Sequence, residues 1–288
     1  MKRTHGFTLI ELAIVLVIIT ILIGGLAVPL STQIQARRIA ETNKTLEEAR
    51  EAIMGYAMSH IISPTCTCLY NSDTSLDTAS STCPVSLCPA TGTATVTPLI
   101  LAFTRHYLPC PDLMQIDPEP GQDNDGDGQL SDLNNGREDR DATGACSSRS
   151  GNLPWVTLGS AAQDAWGNRL RYRTTPKFAN SSTGFSNTDA GDLQVCSASG
   201  CAMVNVASNV PAVLVSHGPN GWGARNINGN TLAAPTSANE LENTNSDVNF
   251  VSRTPSKVGD ASGEFDDLVV WISDGLLRSR VCPTGGCP

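Results

Sequence analysis

Glu11 is the one charged side chain in an apolar run from Gly6 to Leu30, behind a short basic leader, Met-Lys-Arg-Thr-His. A carboxylate near the centre of a bilayer costs on the order of 3 kcal/mol, so it calls for a partner and a role. Scission of the Gly6–Phe7 peptide bond would create an ammonium four residues before Glu11, on the same helical face. The two charges could neutralise each other within one chain or between copies, and between copies the pair would set the stagger of a polymer. A second centre of chemistry is Asp-Asn-Asp-Gly-Asp-Gly-Gln-Leu-Ser-Asp, with Asp123, Asp125 and Asp127 at alternate positions and Gly128 after the third. Hard cations such as calcium take six to eight oxygens, and this spacing can wrap three carboxylates, the Gln129 carbonyl and Asp132 around one ion.

The surrounding composition supports that reading. Residues Asp112 to Asp141 hold ten acids against two bases, a net of −8, while the whole chain carries −9. Acidity is therefore local rather than general. Charged residues are 16% of the chain and aromatics 5%, with Ser, Thr, Asn, Gly and Pro crowding the sequence after residue 60. Ten cysteines fit an oxidising compartment outside the cytosol. Cys83 and Cys88, Cys196 and Cys201, and Cys282 and Cys287 are each separated by four residues, and Cys110 and Cys146 stand apart. Three local clips plus Cys110–Cys146 is the expected arrangement, although ten cysteines allow many pairings. Zinc is the lesser alternative, because the intervals are loose and the four histidines are scattered.

Other constellations are weak. Ser216 and His217 are adjacent, so on a strand they point to opposite faces and make no nucleophile–base pair. No Gly-rich phosphate loop stands between a strand and a helix. Arg169, Arg171 and Arg173 would share one strand face, most simply a solvated one, and with a net charge of −9 a nucleic-acid surface is not favoured. No enzyme is expected.

The elements that must position these groups follow from periodicity. Phe7 to Leu30 is long enough to cross a hydrocarbon layer as a helix. Beyond Pro29, Ile34, Ile39, Leu46, Ile53 and Tyr56 or Ala57 recur at helical spacing, with charges between them. One helix is thus expected from about Phe7 to His60, bent or loosened at Gly24, Gly25 and Pro29. Residues 61–98 read as an irregular Cys/Ser/Thr-rich loop. Residues 99–288 read as a β-rich globular domain, with strands at Leu170–Thr174, Val213–Ser216 and Leu268–Ile272 and two more in Asp192–Val206 around a turn at Ser197–Gly200. The expected class is α+β, a long N-terminal helix packed on an antiparallel sheet.

The motif Gly6-Phe7-Thr8-Leu9-Ile10-Glu11 with its apolar tail resembles the cleavage and methylation signature of type IV pilins and type II secretion pseudopilins. That resemblance implies a leader (1–6) removed by a prepilin peptidase and N-methylation of Phe7. It implies a helix (7–30) held in the inner membrane in a single pass, an amphipathic continuation (31–60) and a C-terminal domain in the periplasm. It further implies drawing into a filament of other pilin or pseudopilin subunits by an inner-membrane assembly platform. A plain membrane anchor, or a signal peptide cut after Ala27, would use the same segment more blandly. The Asp123 loop resembles the first half of an EF-hand, but its twelfth position is Asn134, so Asp132, Glu138 or Asp139 would have to complete the shell. Asp164-Ala-Trp-Gly, Ser216-His-Gly-Pro-Asn-Gly221 and Phe265-Asp-Asp-Leu-Val-Val-Trp271 look like segments of major pseudopilins. In that family a loop near the carboxyl end binds calcium, a part that Asn220, Asp266 and Asp267 could take. Size, extra cysteines and the Asp123 loop depart from a major subunit and suit a minor or specialised one. A membrane-anchored periplasmic module that binds through calcium and does not polymerise is the alternative.

Overall fold

A computed structural model describes residues 8–62, 65–71, 74–77, 81, 88, 97–100, 104–113, 134–202, 206–282 and 287. The first element, α1 (Leu9–Ser59), runs without a break in its helical assignment through Gly24, Gly25 and Pro29. A single proline removes one donor from the ladder and leaves the turns on either side to hold the helix. The large apolar side chains from Leu9 to Leu22 are all exposed, whereas Leu46, Ala49, Ile53, Met54, Tyr56 and Ala57 are buried. Ile34, predicted to begin the packed stripe, is 46% exposed. Tight packing starts at Thr42, where the domain first closes over the helix. Among the described residues no helix is long and apolar enough to cross a membrane. Of the predicted span, Phe7 and the side chains of residues 23–30 lie outside the described set.

The segment after α1 is more ordered than expected. Strand β1 (Ile61–Ile62) pairs with β4 (Arg105–His106), and β2 (Thr65–Cys68) pairs with β3 (Thr97–Ile100), both antiparallel. Two strand pairs thus flank residues whose Cys, Ser and Thr content reads as loop. Cys88 is bonded to Cys68 and not to Cys83, which lies outside the described residues. The four-residue interval misled because Cys88 packs with Tyr70 and Leu76 against Cys68, at the end of β2. Bonds also join Cys110 to Cys146, Cys196 to Cys201 and Cys282 to Cys287.

The domain proper is built on a four-stranded antiparallel sheet. Its strands are β5 (Ser150–Asn152), β6 (Arg171–Thr174), β9 (Ala212–Ser216) and β11 (Leu268–Ile272), in the order β11-β9-β6-β5. A second sheet holds β7 (Leu193–Cys196), β8 (Ala207–Val210) and β10 (Asn249–Val251), in the order β10-β7-β8. Its β10–β7 pair is parallel, a departure from the all-antiparallel expectation. The partner predicted just after Ser197–Gly200 begins later, at Ala207. Residues 199–201 instead form a 3₁₀ turn, closed by the Cys196–Cys201 bond.

Alternation along β9 sorts the two cores. Ala212 and Leu214 join Leu46, Ile53, Leu108 and Leu277 under α1, and Val213 and Val215 join Leu193, Val195 and Phe250 under the second sheet. With both faces covered, β9 is buried throughout, which suits its unbroken apolar run. Arg171 and Arg173 pair with Val215 and Val213 and share their covered face. They are 7% and 4% exposed and donate to the Asn245 and Ser246 carbonyls. The solvated arginine face read from the sequence is therefore interior. Among the described residues four short helices complete the fold: α2 (Trp155–Leu158), α3 (Pro176–Ala179), α4 (Ala238–Thr244) and α5 (Asp274–Val281), the last packed against α1.

Candidate functional site

At the start of α1, Glu11 is already satisfied within its own chain. Its Oε2 accepts from the Thr8 amide at 2.8 Å and the Thr8 hydroxyl at 2.9 Å, while the Glu11 amide donates back to Thr8 Oγ1 at 3.4 Å. This reciprocal capping box closes donors that the first helical turn leaves open. The sequence signal was present in the spacing of Thr8 and Glu11, a Ser/Thr-x-x-Glu pattern. Gly6 and Phe7 lie outside the described residues.

The three segments around Trp166, Ser216 and Asp266 converge at one end of the four-stranded sheet. Asp164 Oδ1 accepts from the Trp166 and Asn168 amides, each at 2.9 Å, and Oδ2 from the Ser216 hydroxyl at 2.7 Å. Burial pushes the Asp164 carboxyl above its ordinary range. Next to it, the Ala165 amide donates to Thr42 Oγ1, fastening this turn to α1. Because Leu268 faces Ser216 in the β11–β9 register, the residues just beyond them, Asp267 and His217, are brought side by side.

There the structure assembles three carboxylates. Ligand oxygens of Glu240, Asp266 and Asp267 all lie within 4.8 Å of one another. Each carboxylate has one oxygen held by N–H donors. Glu240 Oε1 accepts from Asn220 Nδ2 at 3.1 Å and the Asp266 amide at 3.0 Å. Asp266 Oδ2 accepts from the Asn220 amide at 3.2 Å, and Asp267 Oδ2 from Asn243 Nδ2 at 2.8 Å. Asp266 Oδ1, Asp267 Oδ1 and His217 Nδ1 are buried without a hydrogen-bond partner. Burial, then the like charge of Glu240, pushes Asp266 up to about 7, and burial followed by the charge of Asp267 raises Glu240. Gly218, with φ of +58°, keeps the approach open, since a methyl group there would lie 2.5 Å from Asp266 Oδ1. Asn220, expected as a ligand, is instead occupied inside the chain, because its Oδ1 also accepts from the Trp222 amide. Glu240, about twenty-five residues upstream of the aspartates, carried no sequence signal.

The acidic segment behaves differently. Asp123, Asp125, Asp127, Gln129 and Asp132 lie outside the described residues. The acids flanking them are built into the domain. Asp112 accepts from Asn152 Nδ2 at 2.9 Å and the Gly136 amide at 3.2 Å, and burial pushes it up to about 6. Glu138 takes the Tyr56 hydroxyl at 2.6 Å, the Cys110 amide at 2.8 Å and Arg140 at 2.9 Å. Asp139 is fully buried and accepts from the Leu113 amide. Asn134 Oδ1 takes Arg169 Nε at 2.9 Å. Glu138, Asp139 and Asn134 thus tie the ends of the segment to α1 and the sheet instead of closing an ion shell.

Residues 1–27 match the family model described as the prokaryotic N-terminal methylation motif. The chain carries a type IV pilin and pseudopilin signal. Proteins of this signal are structural rather than enzymatic. The prepilin signal implies processing by a prepilin peptidase, assembly with pilin subunits and a membrane-anchored amino terminus before assembly. Beyond it, no curated protein and no solved structure matches the chain. Ser216 and His217 point apart, one to Asp164 and the other towards Asp267 at 3.5 Å, so they form no dyad.

Proposed function

We propose that this chain is a minor or specialised subunit of a type IV pilus-like or type II secretion filament. Prepilin peptidase cuts between Gly6 and Phe7, the new amine is methylated, and residues 7–30 hold the chain in the inner membrane with its domain in the periplasm. The assembly platform then draws it among other subunits, where Glu11 meets the amine of Phe7. The reading rests on the prepilin signal at residues 1–27 and on α1, which exposes its large apolar side chains from Leu9 to Leu22 and buries one face from Thr42 to Ala57 in the domain. That division suits a helix with two partners, lipid or neighbouring helices below and its own domain above. A structural calcium ion at Asp123, Asp125, Asp127, Gln129 and Asp132 belongs to the same reading and rests on their spacing.

Mass spectrometry of the mature amino terminus tests the reading directly. A methylated Phe7 is the expected result. An intact Met1 would favour an anchored calcium-dependent module that does not polymerise. In assembled filaments, Glu11→Gln is expected to abolish incorporation, and normal incorporation would remove Glu11 from the mechanism. A melting transition of Asp125→Asn that stays as calcium-sensitive as the parent would take the ion away from that loop.

A further inference from the structure

We propose that Arg171 and Arg173 together bind one inorganic tetrahedral oxyanion, of the phosphate or sulfate class, beside the turn that follows α4. The proposal stands on β6 and that turn, and is independent of the filament reading and of both acidic groups. The two arginines lie two residues apart on one strand, so they share a face, with Cα atoms roughly 6.6 Å apart. They are 7% and 4% exposed. An arginine has five N–H donors and stays charged in a protein. Among the described residues, Arg171 donates from Nη2 to the Asn245 carbonyl at 2.6 Å and Arg173 from Nη1 to the Ser246 carbonyl at 2.9 Å. The Nε of each is buried without a partner.

Carbonyls accept hydrogen bonds but do not cancel charge, and the acids nearby are occupied elsewhere. Asp192 accepts from the Thr175 hydroxyl at 2.7 Å and faces Arg149 at 4.0 Å. Asp247 accepts from the Asn249 amide and from Asn245 Nδ2, and Asp267 accepts from Asn243 Nδ2. Among the described residues, neither guanidinium has a carboxylate within ion-pair distance. Burial, then the like charge of Arg173, pushes Arg171 down to about 10, so it is still a cation at neutral pH. Arg149 adds a third positive charge that bears on Arg173. Buried charges left uncompensated are strongly destabilising, and an anion between the two guanidiniums removes that cost. Planar guanidinium forks match the oxygens of phosphate or sulfate two at a time, a geometry that a spherical halide cannot use. Ser246 and Asp247 are exposed, so a small ion has a short path from solvent. Guanidiniums this covered are out of reach of a lipid headgroup or a polymer backbone.

Inorganic phosphate is the probe. The full chain, purified in detergent and dialysed free of oxyanions, is titrated with phosphate by calorimetry against chloride at matched ionic strength. One equivalent is expected to bind, sulfate should compete, and the melting temperature should rise with phosphate but not with chloride. Arg171→Lys and Arg173→Lys keep the charge but lose the fork, and each should weaken binding by about tenfold or more. Arg280→Lys, on the surface, should leave it unchanged. Should a lysine variant fail to fold by circular dichroism, Nε–H resonances of the parent chain labelled with 15N-arginine decide the matter. Two solvent-protected resonances that shift together up to one equivalent support the pair, whereas graded shifts spread over many arginines mark an adventitious ion only and overturn it. Glycerol phosphate, a headgroup mimic, should bind more weakly, and equal or tighter binding would overturn the inorganic assignment. Absence of saturable binding, equal stabilisation by chloride, or undiminished affinity in the folded lysine variants also overturns the proposal, and none of these outcomes bears on the processing of Phe7.

Discussion

Two groups of acids in this protein teach opposite lessons. Glu138, Asp139 and Asp141 are neighbours in sequence, with Asp112 26 residues before Glu138, and the fold gives each its own donors. Asp141, for one, accepts from the Thr143 and Ala145 amides. Glu240 stands just as far, 26 residues, before Asp266 and its neighbour Asp267, yet here the fold drives the carboxylates against one another and leaves two of their oxygens unpartnered. A run of acids in a sequence is cheap when every carboxylate can find an amide or an arginine, because the donors then offset the desolvation. A cluster gathered from two separate segments sets its carboxylates against one another, and one hydrogen-bonded oxygen on each does not relieve that repulsion.

The largest effect should come from breaking the first group. Glu138→Ala strands Arg140 and the Tyr56 hydroxyl in the interior, and removal of one partner from a buried ion pair costs about 3–5 kcal/mol. Thermal melting should show that loss equally with and without added metal. Asp112 comes next. Its folded pKa of about 6 lies above the ordinary 3.8, so the folded state binds the proton more tightly than the unfolded one. Its contribution is therefore fully present below about pH 4 and declines as pH rises through 6, by on the order of 3 kcal/mol. Chemical denaturation across that range should find the decline, and Asp112→Asn should flatten it.

A somewhat smaller shift should sharpen the other side of the comparison. Glu240→Gln, which removes the like charge facing Asp266 and Asp267, should raise stability above pH 7 by on the order of 1 kcal/mol, as read by chemical denaturation. The smallest effect is expected at the exposed pair of Glu51 and Arg280, which joins α1 to α5. Glu51→Ala should cost less than about 1 kcal/mol, as solvent screening makes such pairs weak.

Legibility in the sequence followed the range of the interaction. The long helix, strands β6, β9 and β11 and the tight Cys196 and Cys282 loops depend on neighbours a few residues apart, and their periodicity and spacing announced them. Arg171 and Arg173 were misread because alternation says which side chains share a face but not whether a second sheet covers it. Cys88 was misread because spacing ranks near partners first, while packing around Cys68 at the end of β2 chooses a distant one. Thr8 is legible as a cap, because it and Glu11 stand three residues apart in a Ser/Thr-x-x-Glu pattern.

From its order of residues alone the chain specified the prepilin signal, the α+β class and a local store of negative charge, because each is written in contiguous residues. Only the tertiary structure decided that Glu138 and Asp139 are framework and that Glu240 belongs with Asp266 and Asp267. The β11–β9 register sets Asp267 beside His217, and the packing of α4 carries Glu240 to them. Neither distance exists until the strands have paired.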